Sequence, residues 1–142
     1  MNTNDLQLWK INQAIPSLDS EIHGKNNPLV LGLTDLIDFN KGCYLGQETM
    51  SKIRNVSSLK QEIRIWTAKD KVLNLESVNK ILFNNQNKEK SVGYITSIYK
   101  LDSRIIKGLA MIKRKYLDKE NCFFTDNFGL ISIDKSVGST FL

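Results

Sequence analysis

The chain has 142 residues, a formal net charge of +5 and two cysteines, and 41% of its residues are hydrophobic. A domain of about this size hides roughly two-thirds of the surface of its unfolded chain, so a compact core is expected. No apolar run approaches the roughly 20 residues that span a bilayer, and residues 1–5 do not resemble a secretory signal. Two widely spaced cysteines are a poor disulfide framework. These features argue against membrane and disulfide-rich secreted proteins, and they predict a cytoplasmic protein with both cysteines reduced.

The first predicted element is an N-terminal helix, which Thr3 or Asn4 can cap and which ends by Pro16. Its apolar side chains, including Trp9, are expected to fill core space. Polar loops follow. They contain the single histidine, His23, which is predicted to be exposed because its neighbours are polar or glycine.

The next segment, 41–48, reads Lys-Gly-Cys-Tyr-Leu-Gly-Gln-Glu and combines a thiol with unusual backbone chemistry. Gly42 and Gly46 flank Cys43 and permit backbone conformations that other residues avoid. Two interpretations follow from the residues alone. Cys43 is either a positioned nucleophile or metal ligand, or a small buried apolar residue of a tight turn.

The surroundings of the motif place it in a turn. The apolar-rich run at 33–39 before it is compatible with a strand or a helical turn, because periodicity cannot separate the two at this length. Residues 47–54 after it form a predicted short helix with acidic residues early and basic residues late. A thiol just before a helix and close to Lys41 has its thiolate form favoured. The sequence therefore predicts that Cys43 is presented ahead of this helix.

From Leu59 onward the pattern changes to short strands. Ile63 and Ile65 alternate with Arg64 and Trp66. Further predicted strands cover residues 80–83, 91–99, 105–113, 121–125 and 130–133, with a polar loop at 84–90 and with Gly93 and Gly108 as candidate bulges or corners. Five or six such strands predict an antiparallel barrel or sandwich. The predicted class is α+β, an N-terminal helix and mixed segment followed by a small antiparallel β-barrel.

Several residues outside the motif have ordinary structural interpretations. Trp66 is expected in the core, and Cys122 is predicted to be a small buried residue of a strand. The basic run 113–115, with Lys52 and Arg54, is compatible with a surface that binds RNA phosphates. The other interpretation, which we favour here, is that lysines on edge strands prevent association between sheets.

The octapeptide at 41–48 also resembles the signature Lys-Gly-Cys-Tyr-x-Gly-Gln-Glu of the YgfZ family, and all seven specified positions are met. These folate-dependent proteins support iron–sulfur cluster assembly or repair and are relatives of the glycine cleavage T-protein. Other similar segments occur in the same order, at 10–16, 21–22, 27–29, 32–33, 59–66, 92–97 and 108–112. The resemblance implies the C-terminal portion of such a protein. Residues 1–58 would be a remnant of the central α/β domain and residues 59–142 the C-terminal barrel.

The resemblance also implies roles for individual residues. Cys43 would be the catalytic residue, supported by Lys41, Gly42, Tyr44, Gly46, Gln47 and Glu48. Tetrahydrofolate is the implied cofactor, and Lys10 and Asn12, at the places of an Arg-x-Glu pair of the family, are the candidate residues to bind it. Asn12 in place of the glutamate removes a carboxylate that would pair with the pterin ring. Val30 likewise replaces a glutamate of the T-proteins. These departures argue against folate binding by this chain, and no metal site is predicted.

Three functions remain open from the sequence. The favoured one is a YgfZ-like accessory role in iron–sulfur protein maintenance, with iron–sulfur client proteins and tRNA modification as the implied context. The second is an aminomethyltransferase like the T-protein, although most of the folate-binding half has no counterpart before Leu6 and would be a separate or deleted segment. The third is a non-catalytic module that binds RNA or protein. Whether the chain is an enzyme stays open.

Overall fold

The structure is a computed structural model that describes residues 3–18, 20–24, 26–52, 59–69, 78–117 and 119–134. The helices are α1 (Thr3–Asn12), α2 (Gln47–Lys52) and α3 (Arg114–Leu117), and a 3-10 turn spans Thr34–Leu36. The strands are β1 (Gln61–Lys69), β2 (Ile81–Phe83), β3 (Ser91–Ile95), β4 (Tyr99–Lys100), β5 (Ile105–Lys113), β6 (Cys122–Thr125) and β7 (Gly129–Ile133). The segment at 33–39 therefore contains a helical turn. The predicted extension of α2 over residues 53 and 54 lies outside the described residues.

Six of the strands close into an antiparallel barrel. Their order is β1-β7-β6-β2-β3-β5, and β5 pairs with β1 to complete the ring, while β4 adds to β5 as an extra strand. The two longest strands, β1 and β5, pair over their whole length, from Gln61 opposite Lys113 to Lys69 opposite Ile105. The predicted α+β class with a small antiparallel barrel is confirmed.

The barrel interior is filled by one hydrophobic cluster, which we call the interior cluster. Because successive side chains of a strand point to opposite faces, Trp66 and Ala68 of β1 meet Ile106 and Ala110 of β5 inside the ring. The other fully or nearly fully buried members are Leu82, Val92, Ile95, Ile112, Phe123, Phe128, Ile131 and Ile133. Closure of the ring lets this small set of side chains exclude water.

A second cluster lies on the outside of the barrel, and we call it the outer cluster. Ile63 and Ile65 of β1 and Leu109 and Met111 of β5 face away from the interior. The N-terminal segment covers them with its own apolar side chains, which include Ala14 and Leu31. Both faces of β1 and β5 are therefore buried. The predicted domain boundary between residues 58 and 59 stays a prediction, and this cluster joins the two sides of it.

Backbone and side-chain hydrogen bonds fix the N-terminal segment against the barrel. The Ile63 amide of β1 donates to the Val30 carbonyl at 3.1 Å. Further along β1, Trp66 and Thr67 pair with β7. The Tyr99 hydroxyl donates to the Asn4 carbonyl at 3.0 Å. These contacts hold Asn4 and Val30 of the N-terminal segment against the barrel.

The predicted strand at 91–99 is interrupted. The Thr96 and Ser97 amides both donate to the Leu109 carbonyl, at 2.9 and 3.2 Å, so two residues face one on β5. This irregularity divides the predicted strand into β3 and β4. It also brings the Ser97 carbonyl over Gly108, where an added Cβ would lie 2.0 Å from the Ser97 oxygen. Gly108 is thus a point of close backbone approach.

Two sequence predictions about burial and one about an edge strand are wrong, and one prediction about burial is confirmed. Trp9 is 49% exposed, because α1 turns Ile11 rather than Trp9 toward the core. Cys122 is exposed, because the register of β6 points Phe123 inward. Lys113 does not lie on an edge strand, since β5 has paired strands on both sides. Trp66 is fully buried, as predicted.

Polar contacts join the β2–β3 connection, and Asn79 just before β2, to the β6–β7 turn. The Lys88 ammonium lies 2.6 Å from an Asp126 carboxylate oxygen, and the Asn79 side-chain amide donates to the other oxygen at 2.9 Å. The hydrogen bond from Lys88 is the main reason that the pKa of the Asp126 carboxyl lies below its usual value. These contacts connect the two turns through exposed side chains.

Candidate functional site

Residues 41–46 of the cysteine motif form a largely exposed loop between the 3-10 turn and α2. The Asn40 amide donates to the Asp38 side chain at 2.8 Å, which turns the chain just before Lys41. After the loop, the Gln47 amide donates to the Tyr44 carbonyl at 3.2 Å and starts α2. Cys43 lies between these two turns, and its side chain is exposed. The interpretation of Cys43 as a small buried residue is therefore wrong.

The two glycines of the motif have different local requirements. Gly46 has φ +87°, a left-handed conformation that side chains with a Cβ rarely adopt. Its carbonyl accepts the Met50 amide at 3.0 Å, so this conformation leads directly into α2. At Gly42 an added Cβ would have no heavy atom within 4 Å. Packing in the structure requires no glycine there, and Gly42 leaves open space beside Cys43.

Lys41 and Tyr44 contact each other within the loop. The Lys41 ammonium lies 5.0 Å from the centre of the Tyr44 ring, which is within the range of a cation–π interaction. Tyr44 is half-buried, and its hydroxyl is buried with no hydrogen-bond partner among the described residues. The loop thus combines a half-buried aromatic ring with a neighbouring exposed positive charge.

The last two motif residues belong to α2. Gln47 is half-buried, and the Glu48 carboxylate lies 2.6 Å from the Lys52 ammonium one turn later. Both members of this pair are largely exposed, and pairs of this kind contribute about 0.3–0.5 kcal/mol to a helix. In this structure Glu48 supports the helix and has its charge paired.

Sequence reasoning missed two features, one at the motif and one in the loop that follows α1. Leu45 is fully exposed and Leu36 is 67% exposed, so apolar side chains flank the cysteine loop. The first sits at the unspecified position of the octapeptide, and only its apolar character could have drawn attention to it. The second missed feature is Glu21, which is completely buried.

Glu21 organises the loop that follows α1. One carboxylate oxygen accepts the Ser17 amide at 2.8 Å and the Ser20 hydroxyl at 2.5 Å. The other oxygen is buried without a partner among the described residues. The Glu21 carbonyl accepts the Asn26 side-chain amide at 2.8 Å. Glu21 thus stabilises the loop between Ser17 and Asn26 through hydrogen bonds of its buried carboxylate and its backbone carbonyl.

The two residues that replace the folate-site pair do not act together. Lys10 lines a cavity of about 500 Å³ between α1 and the barrel, whereas the Asn12 side-chain oxygen accepts the Lys107 ammonium at 2.7 Å. The other residues that line the cavity are Gln7, Ile11, Ile15, Pro16, Ser17, Leu18, Ser20, Ser97, Ile98, Tyr99 and Leu109. No carboxylate is among them, so the described residues do not fit a pterin ring as the family site would. Val30 packs against the outer cluster instead.

Other candidate groups lie apart from the loop or form no cluster. His23 is exposed, as predicted, and its ring nitrogen lies 3.4 Å from the Asn26 amide. Cys122 lines a surface groove of about 600 Å³ on the barrel, together with Phe128 and Leu130. Both cysteines are free thiols. Within the described ranges, no three His, Cys, Asp or Glu side chains are grouped so that they could hold a metal ion. None of the described helices has the length and apolar character needed to cross a membrane.

Comparison with known proteins gives two weak but informative similarities. The first is to a chloroplast protein of Arabidopsis thaliana whose name assigns it provisionally to the transferases, with 37% identity over 54 residues, which is 38% of this chain and 12% of the relative. The second is to the tRNA-modifying protein YgfZ of Vibrio atlanticus, with 28% identity over 112 residues, which is 74% of this chain and 34% of the relative. The chain is therefore similar to YgfZ over most of its length. No family model matches it.

The extent of these similarities limits what they transfer. The matched segments cover about a third or less of the curated relatives. The similarity to YgfZ extends over three-quarters of this chain, and therefore over more than the cysteine loop.

Proposed function

We propose that the chain is a YgfZ-like accessory protein in iron–sulfur cluster assembly or repair, acting in the cytoplasm, and that Cys43 is its reactive residue. Its thiolate acts as a nucleophile or as a transient ligand toward an iron–sulfur client protein. Two cysteines cannot supply the four thiolates that usually hold a cluster, so the cluster belongs to the client. The tRNA modification in the name of the relative YgfZ is a process that such a client would serve.

The exposure of the Cys43 thiol is the observation that carries this proposal. A nucleophile or ligand must be reached by its partner, and Cys43 is exposed in a loop held on both sides by turns. The open space at Gly42 and the exposed side chain of Leu45 leave the approach to the loop clear and partly apolar. Such a surface is suited to contact with a protein rather than to enclosure of a small molecule.

The other motif residues support the loop in this proposal. Lys41 supplies a positive charge, Tyr44 anchors the loop through its half-buried ring, and Gly46 provides the left-handed turn into α2. Gln47 and Glu48 belong to the helix that follows, and Glu48 stabilises it through Lys52. The loop is thus positioned by its own residues and by the helix.

A transferase related to the T-protein is the second candidate, and the similarity to the Arabidopsis protein is what favours it. It ranks below the first candidate, because none of the described residues that line the cavity beside Lys10 is a carboxylate and the Asn12 side-chain oxygen accepts the Lys107 ammonium. Aminomethyl transfer to tetrahydrofolate by the purified protein would reverse this order.

The test is complementation of a strain of the source organism from which this gene has been deleted. We expect Cys43→Ser to abolish complementation, measured as the activity of iron–sulfur enzymes and the extent of tRNA modification, because serine has no comparable nucleophile or soft ligand. Thermal unfolding should change little, since the side chain is exposed.

Cys122→Ser is the matched control, because Cys122 is also an exposed free thiol but lies on the barrel. It is expected to complement like the wild type. Full complementation by Cys43→Ser would remove the thiol from the mechanism. Equal loss in both variants would mean that Cys43 has no special role.

A further inference from the structure

One end of the barrel concentrates positive charge. At this end β1 begins and β5 ends, and the residues involved are Lys60, Lys90, Lys113, Arg114 and Lys115, which we call the basic end. Gln61 pairs with Lys113, and the Arg114 amide donates to the Lys60 carbonyl at 3.0 Å. The Lys113 ammonium donates to the carbonyl of Ser91, the residue after Lys90, at 2.7 Å. Three neighbouring strands therefore bring these cations together.

Glu62 lies next to the basic end but does not neutralise its positive charge, because its carboxylate is shared with Arg64. Arg64 and Glu62 point to the same face of β1 and form an ion pair in which the Arg64 side chain is only 11% exposed. The second oxygen of Glu62 lies 3.8 Å from Arg114. One carboxylate thus faces two guanidinium groups. The neighbouring exposed acids among the described residues are Glu89 and Glu120, and they do not balance the five cations.

The chemistry of this end fits phosphate groups. Neighbouring strands lie about 4.8 Å apart, so cations on three strands cover a width of about 10 Å before their side chains extend it. Lysine and arginine both bind phosphate oxygens, and arginine can do so with two parallel hydrogen bonds. The Lys115 ammonium lies 5.0 Å from the Tyr116 ring centre, which adds an aromatic group beside the charges.

A membrane surface is a poorer match for the basic end. Peripheral membrane binding combines basic residues with exposed apolar side chains that enter the lipid. At the basic end, Tyr116 and Leu117 are half-buried and pack against the interior cluster. Of the exposed large apolar side chains among the described residues, Tyr94 lies in the strands of the basic end, opposite Met111 of β5. The others are Leu6, Trp9, Leu18, Ile22, Leu36, Leu45, Ile81, Leu101 and Leu130.

We propose that the basic end is a binding surface for the phosphate backbone of RNA. The inference rests on the proposed function only in taking RNA as the nucleic acid, and the charge arrangement is independent of Cys43. Binding through phosphates releases counterions, so the affinity falls steeply as salt increases.

The experiment measures binding of bulk tRNA to the full chain by fluorescence anisotropy over a series of salt concentrations. The test variant is Lys60→Glu/Lys115→Glu, since both side chains are exposed. It should bind at least about 10-fold more weakly, and the slope of log affinity against log salt should fall by about two, one for each lost phosphate contact. Lys60→Gln/Lys115→Gln should show a smaller loss in the same direction.

The matched control is Lys69→Glu/Lys80→Glu. These lysines are exposed at the other end of the barrel from the basic end, where β1 ends and just before β2 begins. The control variant has the same net charge as the test variant. It should lose much less affinity and keep the wild-type salt slope. Cys43→Ser should bind tRNA like the wild type, so failure of the proposed cysteine role would not affect this result.

Three outcomes would overturn the proposal. They are the absence of tRNA binding by the wild type at low salt, equal weakening in the test and control variants, and preferential binding of the basic end to phosphatidylserine vesicles over tRNA. Circular dichroism of each variant confirms that it is folded.

Discussion

Gly108→Ala is expected to destabilise the protein by about 3 kcal/mol or more, at the upper end of the range for overpacked cores. An added Cβ would lie 2.0 Å from the Ser97 carbonyl oxygen and 2.8 Å from Trp66 Nε1. The first of these atoms belongs to the backbone, which two hydrogen bonds to β5 hold near this position. A rotamer change cannot relieve the contact, so β5 and the 96–98 connection would have to separate.

Chemical denaturation and thermal melting measure this effect. For a chain of this length, 3 kcal/mol corresponds to a decrease in Tm of about 10 °C. Gly24→Ala is the control, because an added Cβ there has no heavy atom within 4 Å and the backbone conformation is ordinary. It should leave the stability within about 0.5 kcal/mol of the wild type. Equal stability of the two variants would show that the strands are not packed as closely as described.

Trp66→Ala is expected to cost about 3–5 kcal/mol of stability, as for other large aromatic residues removed from a core. Trp66 is fully buried in the interior cluster, and its ring centre lies 5.3 Å from that of Phe128. Its Nε1 donates to the Leu109 carbonyl at 3.2 Å and to the Ser97 carbonyl at 3.3 Å. The substitution removes the packing and these hydrogen bonds together.

Trp66→Phe separates the two contributions. Phenylalanine keeps an aromatic ring beside Phe128 but loses the indole N–H, so the loss should be clearly smaller than for alanine. Equilibrium unfolding in urea with unchanged m-values is the appropriate measurement. If Trp66→Ala costs less than about 1 kcal/mol, Trp66 is not a central part of the core.

The barrel could be predicted because its strands are short apolar runs separated by turn residues. The 105–113 strand was predicted with the bounds that the structure shows, since its turn signals and apolar content agree. The sequence could not show which face of β1 and β5 would be interior. Both faces of these strands carry apolar side chains, and Ile63 and Ile65 are covered by a segment that lies about thirty to fifty positions earlier in the chain.

Cysteine exposure illustrates a second limit of sequence reasoning. Cys122 was predicted to be buried, yet the register of β6 places it outside and Phe123 inside. A shift of one residue exchanges the two faces of a strand, and flanking phenylalanines do not determine it. Cys43, in contrast, sits in a motif with two glycines, and its placement in a turn before a short helix followed from local chemistry.

The cavity beside α1 shows what local sequence can and cannot supply. The family resemblance showed that Asn12 stands where a carboxylate is expected, and none of the described residues that line the cavity is a carboxylate. The hydrogen bond between Asn12 and Lys107 joins residues 95 positions apart, and the local sequence around either residue could not predict it. Glu21 was noted only as part of a similar segment, because burial of a carboxylate cannot be seen in composition.

The most direct test of the central claim is the rate at which iodoacetamide alkylates Cys43, measured by mass spectrometry in a Cys122→Ser background. The claim is that the folded protein presents the Cys43 thiol in a reactive loop. We expect Cys43 in the native protein to react at least as fast as in the same protein unfolded in urea. Protection of Cys43 in the native protein, with rapid reaction only after unfolding, would contradict the claim.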